Sequence, residues 1–126
     1  MHRKTLVTTF FIASLMATSA AHAACSGGLG RGWASGKGDG KFEMGASDGS
    51  CLIAYPAFMD SSGSVRTPAT QTALTRAPKS GAITLAPDGL VYTPAAGFKG
   101  ADKFCIRNTT PAQVGKLSGC VTVTVR

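Results

Sequence analysis

The stretch GLVYTPAAGFKGADKFCIR, residues 89–107, decides how the chain is read. Apolar and polar residues alternate on either side of a break marked by Pro94, Gly97 and Gly100. Alternation sends successive side chains to opposite faces of a strand, so one face can be buried. The stretch reads as strand, corner, strand. From Lys41 onward the same grammar recurs, with short apolar runs and a turn signal every ten residues or so, the pattern of an all-β sandwich or barrel. Strands are predicted over residues 41–45, 50–55, 71–76, 82–85, 90–92, 102–107 and 120–125. Turns fall at Asp48-Gly49, at 61–64, 78–81, 87–89 and 108–115. Asp88-Gly89 between two apolar runs is a hairpin signal, with Gly89 placed to accept positive φ. No segment keeps a 3.6-residue period, so helix is not expected.

Toward the N-terminus the composition changes. Residues 25–40 hold seven of the chain's sixteen glycines and one large side chain, Trp33. High backbone entropy argues against regular structure in such an arm. Trp33 either folds back onto the domain or stands out as an anchor for a partner. Residues 1–23 read as an export leader: a basic start at Arg3 and Lys4, an apolar run diluted by Thr, Ser and Ala, and a small-x-small site at Ala21-His22-Ala23. The run is shorter than the ~20 residues a spanning helix needs. The expected organisation is a leader over 1–23, a Gly-rich arm over 24–40 and a β domain over 41–126. No membrane span is expected once the leader is cleaved, and the destination is periplasmic or extracellular.

All four cysteines, Cys25, Cys51, Cys105 and Cys120, lie beyond that cleavage site, and an even count in an exported small domain implies two disulfides. Parity places Phe104 and Ile106 on one face of their strand and Lys103, Cys105 and Arg107 on the other. Val121, Val123 and Val125 face the core, which turns Cys120 outward beside Cys105. A Cys105–Cys120 cross-strand bridge is therefore favoured, and Cys25–Cys51 by elimination. The other two arrangements stay open at this level.

The search for chemistry returns mainly absences. Both histidines, His2 and His22, fall within the leader, which removes the commonest general base and metal ligand. Gly45-Ala46-Ser47-Asp48-Gly49 matches the G-x-S-x-G elbow of serine hydrolases, but that elbow needs a histidine and a strand-to-helix turn. It reads as a polar turn. The glycine-rich arm lacks phosphate-loop spacing around Lys37, and the cysteines lack C-x-x-C zinc spacing. Asp60-Ser61-Ser62-Gly63-Ser64 offers one carboxylate among hydroxyls, a poor calcium site that reads as an ordinary turn. No catalytic residue, cofactor or metal is expected, and the chain is not expected to be an enzyme.

Charge is more informative. The chain carries thirteen basic and six acidic residues, a formal +7, and remains basic without Arg3 and Lys4. Lys103 and Arg107 share an outer face, with Lys99 and Lys116 nearby in sequence. They form either a solvated face or a contact surface for an anionic glycan, a lipid head group or an acidic protein. Nucleic acid is not expected, because the compartment implied by an export leader is the wrong one for it.

Gly89-Leu90-Val91-Tyr92-Thr93-Pro94, then Gly97-Phe98-Lys99-Gly100, then Asp102-Lys103-Phe104, resembles the repeat signature of bacterial Ig-like, cadherin-like tandem domains. The closing alternation of valines at 121–125 and the Pro78-to-Gly81 turn are similar as well. The resemblance implies an antiparallel Ig-like sandwich of about seven strands and a non-catalytic role in binding or adhesion at the bacterial envelope or outside the cell. It implies that Tyr92 and Phe98 fill the end of the core, that Gly97 and Gly100 permit the corner, and that Asp102 accepts backbone hydrogen bonds there. The chain departs from the family in two ways: Asp60–Ser64 replaces an aspartate-rich calcium segment, and the domain is not repeated. A structural envelope role without a specific ligand, or a small cationic toxin or inhibitor, are the alternatives.

Overall fold

The computed structural model describes residues 25–126, and the leader expected over 1–23 lies outside the described residues. The described chain is all-β, with ten strands in chain order: β1 (Ser26–Gly28), β2 (Gly38–Met44), β3 (Cys51–Ile53), β4 (Ala57–Met59), β5 (Arg66–Pro68), β6 (Gln71–Arg76), β7 (Gly81–Ala86), β8 (Gly89–Pro94), β9 (Gly100–Thr110) and β10 (Gln113–Val125). They form a five-stranded sheet ordered β1-β2-β10-β9-β6, a three-stranded sheet ordered β3-β8-β7, and the small hairpin β4-β5. All neighbours run antiparallel except β2 and β10, which are parallel and register Gly38 with Gly119 through to Met44 with Val125. Among the described residues no helix is long and apolar enough to cross a membrane.

The alternation predicted from the sequence sets the core. Phe104 and Ile106 of β9, Val121, Val123 and Val125 of β10, and Phe42 and Met44 of β2 point inward from the larger sheet. They join Ile53 of β3 and Leu90 and Tyr92 of β8 in one cluster, with the Tyr92 and Phe104 rings 6.4 Å apart and nearly parallel. Each such fully buried side chain stabilises the fold by about 1.5–3 kcal/mol relative to exposure. Opposite parity leaves Lys103, Cys105, Arg107, Thr122 and Thr124 on the outer face. Both disulfides follow the favoured pairing. Cys105 and Cys120 are direct cross-strand partners, with Cα atoms 3.9 Å apart. Cys25 and Cys51, with Cα atoms 5.2 Å apart, tie the start of the five-stranded sheet to β3.

The corner between β8 and β9 behaves as its residues require. Gly97 and Gly100 take φ of 79° and 129°. Asp102, 5% exposed, accepts hydrogen bonds from the Lys79 and Ser80 N–H groups at 2.9 and 3.0 Å, from its neighbour Lys103 N–H at 3.0 Å, and from the Tyr92 hydroxyl at 2.8 Å. One carboxylate thus joins the 78–81 turn, β8 and β9. Burial, then the hydrogen bond and the negative charge of Asp102, push the Tyr92 phenol above its ordinary pKa.

Four local expectations are corrected. The Gly-rich arm is not irregular: it supplies β1, a 3-10 turn at Trp33–Ser35 and the start of β2, which crosses the expected boundary at residue 40. The turn expected at 61–64 is present, but it is flanked by two strands that were not expected, β4 and β5, which pair as a hairpin. The 108–115 turn shrinks to Pro111 and Ala112, because β9 and β10 continue pairing as far as Thr110 and Gln113. Gly89 is needed for a different reason than the one predicted. It opens β8 with ordinary φ while Pro87 and Asp88 make the turn, and a side chain there would collide with the Ile53 carbonyl of β3.

Candidate functional site

The outer face of the five-stranded sheet holds the described candidates for recognition. Arg107 stands opposite Ala73 of the edge strand β6 on one side and opposite Ser118 of β10 on the other. Ala73 is too small to fill the space beside the guanidinium. Beyond Arg107, β10 departs from regular register between Gln113 and Leu117, and Gly115 takes φ of 98°. That bulge carries Lys116 to the rim of the same space. The result is an open groove of about 620 Å³ lined by Gln71, Thr72, Ala73, Arg107, Thr109, Gly115 and Lys116. The Thr109 hydroxyl donates to the Gln71 side-chain oxygen at 3.3 Å, and the neighbouring Thr72 hydroxyl donates to Asn108 at 2.7 Å. Asn108 is fully buried and gives its amide to the Leu117 carbonyl at 3.0 Å, so the hairpin is braced from beneath. Chemically the groove offers two exposed cations, hydroxyls and an amide: it suits a carboxylate, sulfate or phosphate oxygen.

The four expected cations do not converge on one spot. Arg107 and Lys116 meet at the groove. Lys103 shares the outer face but lies four residues along β9, roughly 13 Å away at the usual rise per residue. Lys99 precedes β9 at the opposite end of that strand from Lys116. Arg126, also near that far end, is bound to Glu43 at 2.7 Å. Among the described residues Lys99, Lys103, Arg107 and Lys116 make no ion pair, and Lys41 forms only an exposed 3.9 Å contact with Asp39. Arg76 joins the outer face opposite Cys105, because the ladder bulges between Leu74 and Arg76. A bulge shifts parity by one residue without changing the local composition, so no sequence signal marks it.

Trp33 is corrected as an exposed anchor. It is 7% exposed, its indole N–H donates to the Leu29 carbonyl at 2.7 Å, and it belongs to the core cluster. Gly38 makes room for it, because a methyl there would overlap the indole ring. Gly119, the parallel partner of Gly38, has the Gly38 backbone where its own side chain would stand.

The two motif-like stretches are turns. Asp48 accepts the Gly45 N–H at 2.7 Å and closes the 3-10 turn at Ala46–Asp48, leaving Ser47 exposed. The Asp60 carboxylate takes hydrogen bonds from the Ser62 hydroxyl at 2.9 Å and from the Ser64 and Val65 N–H groups at 3.0 and 3.2 Å. Those bonds, with the Val65 amide foremost, hold its pKa below the ordinary value. The carboxylate organises the β4-β5 hairpin. Compared with known families, characterised proteins and solved structures, the chain matches none.

Proposed function

We propose that the protein is an exported, non-catalytic Ig-like binding module of the adhesion type, which holds an anionic partner at the β6–β9 groove. The observation that carries this reading is that Arg107 and Lys116 line one groove that holds no carboxylate partner. Support for the architecture comes from strand order: β3-β8-β7 against β10-β9-β6 follows the B-E-D and G-F-C orders of Ig-like sandwiches. Support for export comes from the two disulfides and from the leader-like sequence over residues 1–23. A non-catalytic role is favoured by the absence of histidine after residue 23 and by the turn role of the Ser47 segment.

Exposed cations attract through solvent, so affinity should fall as salt rises past ~0.15 M, where the Debye length is about 8 Å. The test is binding of the mature protein to immobilised polyanions, a uronate polymer, anionic vesicles and an acidic peptide, with and without Arg107→Glu/Lys116→Glu. Loss of binding in the double variant, at unchanged unfolding midpoint, is the expected result. Affinity that survives both the variant and high salt sinks the proposal.

A further inference from the structure

We propose that β6 is a docking edge for an extended acidic segment of another protein, added as a further strand to the five-stranded sheet. This rests on the reading of the groove as an anion site and names the partner class and the binding mode. β6 ends its sheet, and all six of its residues are exposed or half-exposed. Among the described residues, its backbone makes no hydrogen bonds beyond its ladder to β9. An edge of this kind presents N–H and C=O groups ready to pair with an incoming chain.

Both faces of that edge suit one pattern of partner. On the inner face Leu74 pairs with the fully buried Ile106 yet is 45% exposed, and Leu85 of β7 pairs with the fully buried Leu90 yet is 55% exposed. The apolar layer is therefore left uncovered at β6 and β7. At β1 and β3, by contrast, the Cys25–Cys51 bridge joins the two sheets. On the outer face Ala73 leaves the groove open between the edge and Arg107, with Lys116 on its rim. Strands lie about 4.8 Å apart, so a carboxylate on an added strand and the long side chain of Arg107 reach each other across Ala73. The fitting segment alternates, with apolar residues toward Leu74 and acidic residues toward Arg107 and Lys116. The bulge after Leu74 and the charge of Arg76 limit regular pairing to residues 71–74. Charge decides the occupant: a second copy of this chain would bring the same unpaired cations to the contact, whereas an acidic segment neutralises them.

The test uses the mature protein and a capped ten-residue peptide of alternating glutamate and valine, in three forms: unmodified, N-methylated on the glutamates, and N-methylated on the valines. The unmodified peptide should bind and slow amide hydrogen exchange at residues 71–74. One N-methylated form should lose binding and the other keep it, because only alternate amides of an added strand face β6. Arg107→Glu/Lys116→Glu should weaken the unmodified peptide about tenfold or more. Equal binding of both N-methylated forms, or protection away from β6, overturns strand addition while leaving the anion groove standing. Binding of a uronate polymer but not the peptide likewise overturns the peptide partner and spares the groove. If no polyanion binds, both readings fall. Concentration-dependent dimerisation that protects residues 71–74 without peptide assigns the edge to a second copy and overturns the proposal.

Discussion

Asp102→Ala should destabilise the protein far more than its position near an exposed corner suggests. The side chain is 5% exposed and accepts four hydrogen bonds, from Tyr92, Lys79, Ser80 and Lys103. The Tyr92 side chain is fully buried, so removing the carboxylate strands its hydroxyl at a cost of about 1–3 kcal/mol. The N–H groups of Lys79 and Ser80 sit on a more exposed turn where water replaces the lost acceptor, at about 1 kcal/mol each. The sum is about 3–5 kcal/mol, a large part of the ~5–15 kcal/mol typical of a whole domain. For a chain of this size that lowers Tm by at least roughly 12 °C. Urea unfolding with an unchanged m-value is the assay. A cycle with Tyr92→Phe isolates the pair. Tyr92→Phe leaves three donors on the carboxylate and should cost about 1 kcal/mol, and the double variant, with no hydroxyl left to strand, should be about 2–4 kcal/mol more stable than additivity allows. If Asp102→Ala falls within about 0.5 kcal/mol of wild type, the usual range for a surface substitution, the hub assignment is wrong.

Alkaline stability follows from the same pair: Tyr92 has its pKa raised in the folded state, so its contribution to stability is constant below about pH 10 and declines above it as the unfolded phenol ionises first. Tyr92→Phe should remove the Tyr92 share of that decline in a pH series of unfolding midpoints, and an unchanged alkaline slope would refute it. Gly119→Ala should cost at least about 2 kcal/mol, because the added methyl meets the Gly38 backbone across the parallel β2–β10 pair; stability equal to wild type would show that the strands are not so close. Gly38→Ala should displace the Trp33 indole toward water and red-shift its fluorescence, whereas an unshifted spectrum would place the ring elsewhere. Replacing Cys105 and Cys120 together by serine should cost about 3 kcal/mol for a 15-residue separation, and thiol titration of the unfolded wild type should find no free cysteine.

What the sequence by itself determined is local. Period-two alternation in 102–107 and 120–125 named the faces of β9 and β10, and with them the outward Cys105–Cys120 pair and the inward valines. Gly97, Gly100 and Asp102 marked a corner whose residue types leave few other conformations. Only the tertiary structure decided the rest, because the causes are contacts between segments distant in the chain. Seven glycines argue for disorder on entropy alone, yet residues 25–40 are ordered by closing against β10, where Gly38 and Gly119 must lack side chains for the strands to approach and for Trp33 to be covered. The β4-β5 hairpin spans a run whose Ser-rich composition shows only the turn at its centre. The candidate site has the same character. The sequence marks Arg107 and Lys116 as cations, but their meeting depends on the bulge in β10, the smallness of Ala73 and the place of β6 at a sheet edge. Strand pairing brought them together while leaving Lys99 at the other end of β9, since register is set by which residues face one another across a ladder and not by how close they lie in the chain.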